Sequence, residues 1–182
     1  MKHDAVIEAT RRWVASVVIG LNLCPFARRV FDANRIRFVV TDVEDEVALL
    51  AVLTTELDFL RNEPRERTET TLLIHPRVLA DFLDYNDFTA TADQLLDDLG
   101  LRGTIQLASF HPAYQFAGTA TDAAENYTNR SPFPMLHLLR EASISEVADN
   151  PDFLAGIPER NIAVLRQLGR DEMAKRLKAT TE

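Results

Sequence analysis

Apolar side chains recur at Val6, Ala9, Trp13, Val17 and Leu21, the three-to-four-residue spacing of a helix with one buried face, which predicts a helix over 3–20. Gly20-Leu21-Asn22-Leu23 breaks that spacing. Cys24-Pro25-Phe26 then opens a short second helix to about Asp32. Pro25 suits its first helical position, because the missing N–H would be unpaired there anyway. Ile36–Thr41, Glu69–His75 and Thr104–Phe110 are rich in β-branched and apolar residues and read as three strands. Helical spacing returns between them, over 44–61 (Val47, Leu50, Ala51, Thr54, Leu57, Leu60) and over 77–99. The second of these is expected to break near Asn86-Asp87 and to stop at Gly100.

Strands alternating with helices imply parallel pairing through right-handed crossovers. The expected fold class is therefore α/β: one domain over 1–182, with a small, mostly parallel sheet of at least three strands flanked by helices. An additional C-terminal helical segment follows. Residues 111–131 show no period, and a stretch of about 20 structureless residues inside a compact domain is either a functional loop or a sign of wrongly assigned elements. Ser131 is then expected to cap a helix with Pro132 and Pro134 in its first turn, running to about Ala142. Ser143 and Glu146 form a capping-box pattern for a further short helix, and Pro158 starts a last amphipathic helix through Ile162, Leu165, Leu168 and Met173.

Composition changes this picture only by exclusion. At 182 residues and 46% apolar, the chain can bury a core without disulfides or a metal staple. With 28 acidic against 20 basic side chains, the net charge of −8 offers no general attraction to phosphate backbones, so no nucleic-acid partner is expected. The densest basic cluster, Arg61, Arg65 and Arg67, is interrupted by Glu63 and Glu66 and reads as a solvated turn. No apolar run approaches the ~18 residues of a membrane span, and the first residues lack a signal-peptide pattern. The expectation is a soluble cytoplasmic protein without a membrane partner; its acidic surface and last helix leave room for a homodimer. Cys24 is the lone cysteine, so no internal disulfide forms. Neither G-x-G-x-x-G nor a Walker loop, H-E-x-x-H or G-x-S-x-G occurs, which argues against dinucleotide and P-loop sites and leaves the cofactor open.

Three features carry candidate chemistry. The second strand ends in His75-Pro76 and the third in His111-Pro112, and ligands of open parallel sheets bind beyond the carboxyl ends of strands. The competing reading is a pair of histidines that cap backbone groups. Cys24, as N-cap of the helix opened by Pro25 and with Arg28 and Arg29 one turn on, would have a lowered thiol pKa and act as a nucleophile. Against this, Leu23 and Phe26 beside it suit a small core hydrophobe. Finally, Asn126-Tyr127-Thr128-Asn129-Arg130-Ser131 brings polar groups to an expected helix N-terminus, an anion site suited to carboxylate or phosphate. The alternative is an elaborate helix cap. His137, on the helix that follows, reads as a core or supporting residue.

Taken together, the expected pocket at the carboxyl edge of the sheet holds Cys24, His75 and His111 as catalytic groups, with Tyr114, Asn126, Asn129 and Arg130 binding a small anionic molecule. The leading expectation is an enzyme using nucleophilic or general acid–base chemistry. Alternatives are a zinc or iron site on the strand-end histidines, although no metal-ligand spacing occurs in sequence, and a non-catalytic ligand-binding module.

Three blocks also resemble a known family: Gly20-Leu21-Asn22-Leu23-Cys24-Pro25-Phe26-Ala27; Ser109-Phe110-His111-Pro112 with Tyr114 to Thr119; and Asn126 through Ser143. They are similar to the signature blocks of the small bacterial proteins catalogued as domain of unknown function 1415, over nearly the whole chain. The resemblance implies a bacterial, cytoplasmic setting and transfers no catalytic role to any residue.

Overall fold

A computed structural model of the chain describes residues 2–143 and 151–182. Helix α1 (His3–Trp13) runs on into a π-helical segment, Val14–Ile19, and is followed by α2 (Ala27–Asp32) and strand β1 (Ile36–Val40). Then come α3 (Glu46–Asn62), β2 (Thr70–Ile74), α4 (Phe82–Asp98) and β3 (Ile105–Phe110). A 3-10 turn (Ala124–Thr128), β4 (Met135–Arg140), α5 (Pro151–Leu168) and α6 (Arg170–Ala179) complete the described chain.

Two of the crossover helices start on aspartate caps. Asp45 accepts the Ala48 N–H at 2.8 Å, and Asp81 accepts the Leu83 N–H at 2.8 Å, each satisfying a donor with no partner inside its helix. Because Asp81 caps it, α4 begins at Phe82 rather than at 77. It also passes unbroken through Asn86-Asp87. Those two side chains are exposed while Tyr85 and Phe88 on either side are buried, so packing overrides their weak helix propensity. The helix stops at Gly100, whose φ of +65° is a left-handed conformation that glycine adopts without steric cost.

The sheet is mixed. Its order is β1-β2-β4-β3; β1 and β2 are parallel, and β4 runs antiparallel to both β2 and β3. Two expectations are corrected here: the sheet is mostly antiparallel rather than mostly parallel, and the helix expected after Ser131 is strand β4. The cause is burial on both faces. Leu136 and Leu138 enter the core against α3 and α4, while Met135 faces the layer built by α1 and α5. A strand covered on both sides has no polar alternation to announce it, and a Met/Leu-rich run of that kind resembles a buried helix.

One core layer packs Leu49, Leu53, Leu57, Tyr85 and Phe88 against Leu73, Leu136 and Leu138; the other packs Trp13, Val17, Leu165 and Met173 against Leu72, Ile74 and Met135. The final helical segment is two helices, with Pro158 inside α5 rather than at its start, and with Gly169 (φ +80°) turning the chain into α6. The capping-box pattern of Ser143 and Glu146 falls partly outside the described residues. Among the described residues, no helix is long and apolar enough to cross a membrane.

Candidate functional site

The turn after the π-helix is built by local necessity. In that wider helix Leu23 N–H reaches back five residues to Val18 O at 2.8 Å. A Cβ on Gly20 would lie 2.2 Å from Ser16 O, so only glycine fits there. Asn22 takes a left-handed φ of 53°. Helix α5 then clasps the turn: Asn161 Nδ2 donates to Leu23 O at 2.8 Å, and the Arg160 guanidinium donates to Asn22 O. Cys24 is thereby set on the wall of a cavity.

That cavity, of about 300 Å³, lies between the sheet and the α1–α2 layer. Val14, Val18, Phe26 and Val30 form its roof; Ile36, Thr70, Leu72, Ala108, His137 and Leu139 lie below; Trp13 and Phe110 also line it, packed edge to face with ring centroids 5.3 Å apart. The register explains the floor. Leu72 and Ala108 both pair with His137, so the three side chains stand in a row on one face of the sheet. A largely apolar cleft of this size is ligand-sized.

Cys24 and His137 meet this space, as do the charged Arg29, Glu69 and Arg140. Cys24 is not a helix N-cap, because α2 starts at Ala27 with Phe26 flanking it. Burial pushes its thiol above the ordinary value, outweighing the Phe26 and Ala27 amides and the Arg160 charge, which act the other way. This is the reverse of the activation expected from a helix cap. His137 lies on β4, not on a helix, and its Nε2 is 2.7 Å from Thr70 Oγ1. Burial pushes its pKa down to about 4, so the ring is neutral at physiological pH. No hydrogen bond joins Cys24 to His137 among the described residues.

The strand-end histidines do sit near each other, on the opposite face of the sheet from Cys24. His75 and His111 flank the Tyr85 ring at centroid distances of 5.8 and 5.0 Å. His75 Nδ1 donates to Val78 O at 3.1 Å. His111 Nδ1 accepts the Ala113 N–H at 3.0 Å, which leaves its Nε2–H to donate to Leu79 O at 3.1 Å. The two rings thus pin the turn after β2, where Leu79 holds a left-handed φ of 59°. Both are buried; burial pushes His75 down to about 4, with the His111 charge adding to it, and lowers His111 as well. His75 Nε2 is sealed from solvent with no partner.

The polar loop residues are spent on the loop itself. Asn126, fully buried, accepts the Phe116 N–H at 3.0 Å and the Thr119 hydroxyl at 2.8 Å and donates to Ala120 O at 2.8 Å. Asn129 donates to Ser109 O at 3.0 Å. Arg130 donates to Tyr114 O at 3.1 Å and Thr121 O at 2.7 Å, with its guanidinium 4.6 Å from the centre of the Tyr127 ring. Tyr114 packs on Phe82 and Phe116. With β4 in place of the expected helix, no helix N-terminus adds positive charge at Arg130. The structure therefore brings His75, His111 and Tyr114 into one aromatic cluster, ties Asn126, Asn129 and Arg130 into the adjoining loop, and leaves Cys24 with residues that sequence reasoning missed: His137, Thr70 and Trp13. Among the described residues, no three His, Cys, Asp or Glu side chains gather to hold a metal ion.

Fold and cavity define a small α/β protein with a mixed four-stranded sheet and a largely apolar, partly open cavity on one face. A family model described as "Protein of unknown function (DUF1415)" matches residues 5–175, and the chain belongs to that family. Searches of curated proteins and of solved structures returned no match.

Proposed function

We propose that the chain binds a small, mostly apolar molecule in the cavity between the sheet and the α1–α2 layer, and that Cys24 and His137 are the groups that meet it. The observation that carries this reading is the chamber itself: about 300 Å³ of space walled by Val14, Val18, Leu72 and Leu139, with His137 on its floor. An apolar ligand gains roughly 25 cal/mol for each Å² of apolar surface it buries, which suffices for binding without an ionic contact. Apart from the sealed Nε2 of His75, the strand-end histidines and the Arg130 loop have their polar groups committed to backbone partners, so they support an anionic-substrate site less well.

Catalysis is the second reading. Cys24 receives backbone amides from Phe26 and Ala27, which favour a thiolate, yet burial opposes it more strongly. A bound molecule lying between Cys24 and His137 would have to complete the pair.

Ala108 supplies the test, because it is a small residue on the cavity floor. Thermal melts with a panel of small neutral aromatic and aliphatic compounds are expected to show stabilisation of the native protein. Ala108→Phe, which fills the chamber, is expected to fold and to lose that response. Equal stabilisation of both proteins would place binding elsewhere and overturn the proposal.

A further inference from the structure

His137, on the cavity floor, has its hydrogen-bond direction set by a chain of contacts. The Thr70 hydroxyl has a single proton and lies against both Leu138 O and His137 Nε2. A carbonyl oxygen only accepts, so at hydrogen-bond distance the Thr70 proton goes to Leu138 O. Thr70 Oγ1 must then accept from His137, which places the ring proton on Nε2 and leaves the Nδ1 lone pair unprotonated. Nδ1 has no protein partner among the described residues, and the ring lines the cavity.

From this geometry we infer that the cavity selects a neutral ligand bearing a hydrogen-bond donor, a hydroxyl or N–H on an apolar body, that donates to His137 Nδ1. The inference rests on the cavity reading above and narrows it to a ligand class. A carboxylate is disfavoured at His137, since its oxygens would face the Nδ1 lone pair; of the charged groups that also line the cavity, Arg140 is committed to Glu63 O and Thr68 O, Glu69 to Arg35 and Arg65, and Arg29 is exposed. An apolar molecule without a donor would fit but would cover the Nδ1 acceptor without pairing it, a penalty to the complex.

Phenol, anisole and benzoate separate these cases, because they share a ring and differ in the donor and the charge. Binding is followed by NMR titration of the native protein, and a long-range 1H–15N spectrum reports the His137 tautomer. Expected are the Nε2–H tautomer, an Nδ1 resonance that moves on phenol addition, and phenol affinity at least about tenfold above anisole, the worth of one hydrogen bond. His137→Phe is expected to bring phenol and anisole to equal affinity. Should that variant not fold, the Nδ1 shift in the native protein carries the test. An Nδ1–H tautomer, equal binding of phenol and anisole to the native protein, or benzoate binding tighter than phenol would overturn the inference while leaving the cavity reading standing. Failure of all three compounds to bind would overturn both.

Discussion

His137 Nε2 lies 2.7 Å from Thr70 Oγ1, across the β2–β4 pairing, and this contact decides how the cavity floor presents itself. The side chain of a central strand is held by the next strand, two residue pairs along the ladder. Its orientation is therefore a property of the sheet rather than of a loop, the kind of rigid support that ligand sites need. Thr70→Val should release the ring, lose the Nε2–H tautomer in the 1H–15N spectrum and cost about 1 kcal/mol of stability, measured by urea unfolding. An unchanged tautomer in that variant would contradict the assignment.

Cys24 is expected to be a slow thiol. Burial raises its pKa, so less thiolate is present at neutral pH than for a free cysteine. Alkylation by iodoacetamide at pH 7 should be slower than that of a small-molecule thiol and should slow further when a cavity ligand is bound. Alkylation faster than the free thiol would restore the nucleophile reading.

Acid should weaken the fold before the carboxylates titrate. His75 and His137 have folded-state values of about 4 against 6.5 for the free side chain. Between those values the unfolded chain binds protons that the folded chain refuses. Stability is thus complete above pH 6.5, falls as the pH drops from there toward 4, and levels below. Each group would contribute at most on the order of 3 kcal/mol. Urea unfolding from about pH 7.5 to about pH 5 should show the decline, and His75→Phe should reduce its slope. A flat profile over that range would show that the buried rings protonate freely.

Gly20→Ala should destabilise by at least about 2 kcal/mol, because its Cβ would collide with a backbone carbonyl that cannot rotate away. The same substitution would push the Cys24 turn off its α5 clasp, so cavity binding should fall with it. A stable, ligand-competent Gly20→Ala protein would contradict the account of this turn.

Arg130 acts as a brace. Both Arg130→Lys and Arg130→Ala should lower the melting temperature, since neither reproduces the paired contacts to Tyr114 O and Thr121 O. Added phosphate should leave the native protein and both variants unshifted. A phosphate-dependent rise confined to the native protein would revive an anion site there.

Sequence pattern reveals the parts of this fold that are covered on one face or capped locally. The strands at Ile36, Thr70 and Ile105, the helix after Asp45 and the stop at Gly100 all carry their own signals. Strand β4 does not, because tertiary burial on both faces erases the alternation, and with it goes the parallel or antiparallel sense of the sheet. The same loss hid the site. Cys24 stands out by residue type, but His137 reads as one more buried residue among leucines until the strand register sets it beside Leu72, Thr70 and Ala108. The strand-end histidines were legible in position; the backbone carbonyls of Val78 and Leu79 that occupy them were not.

Methyl NMR of the native protein during a phenol titration tests the cavity most directly. Binding there predicts saturable shifts of the Val14, Val18, Leu72 and Leu139 methyls, with the Leu49 and Leu53 methyls on the far face of the sheet unmoved. Shifts confined to Leu79 and the 111–123 loop, or no saturable shift at all, would contradict it.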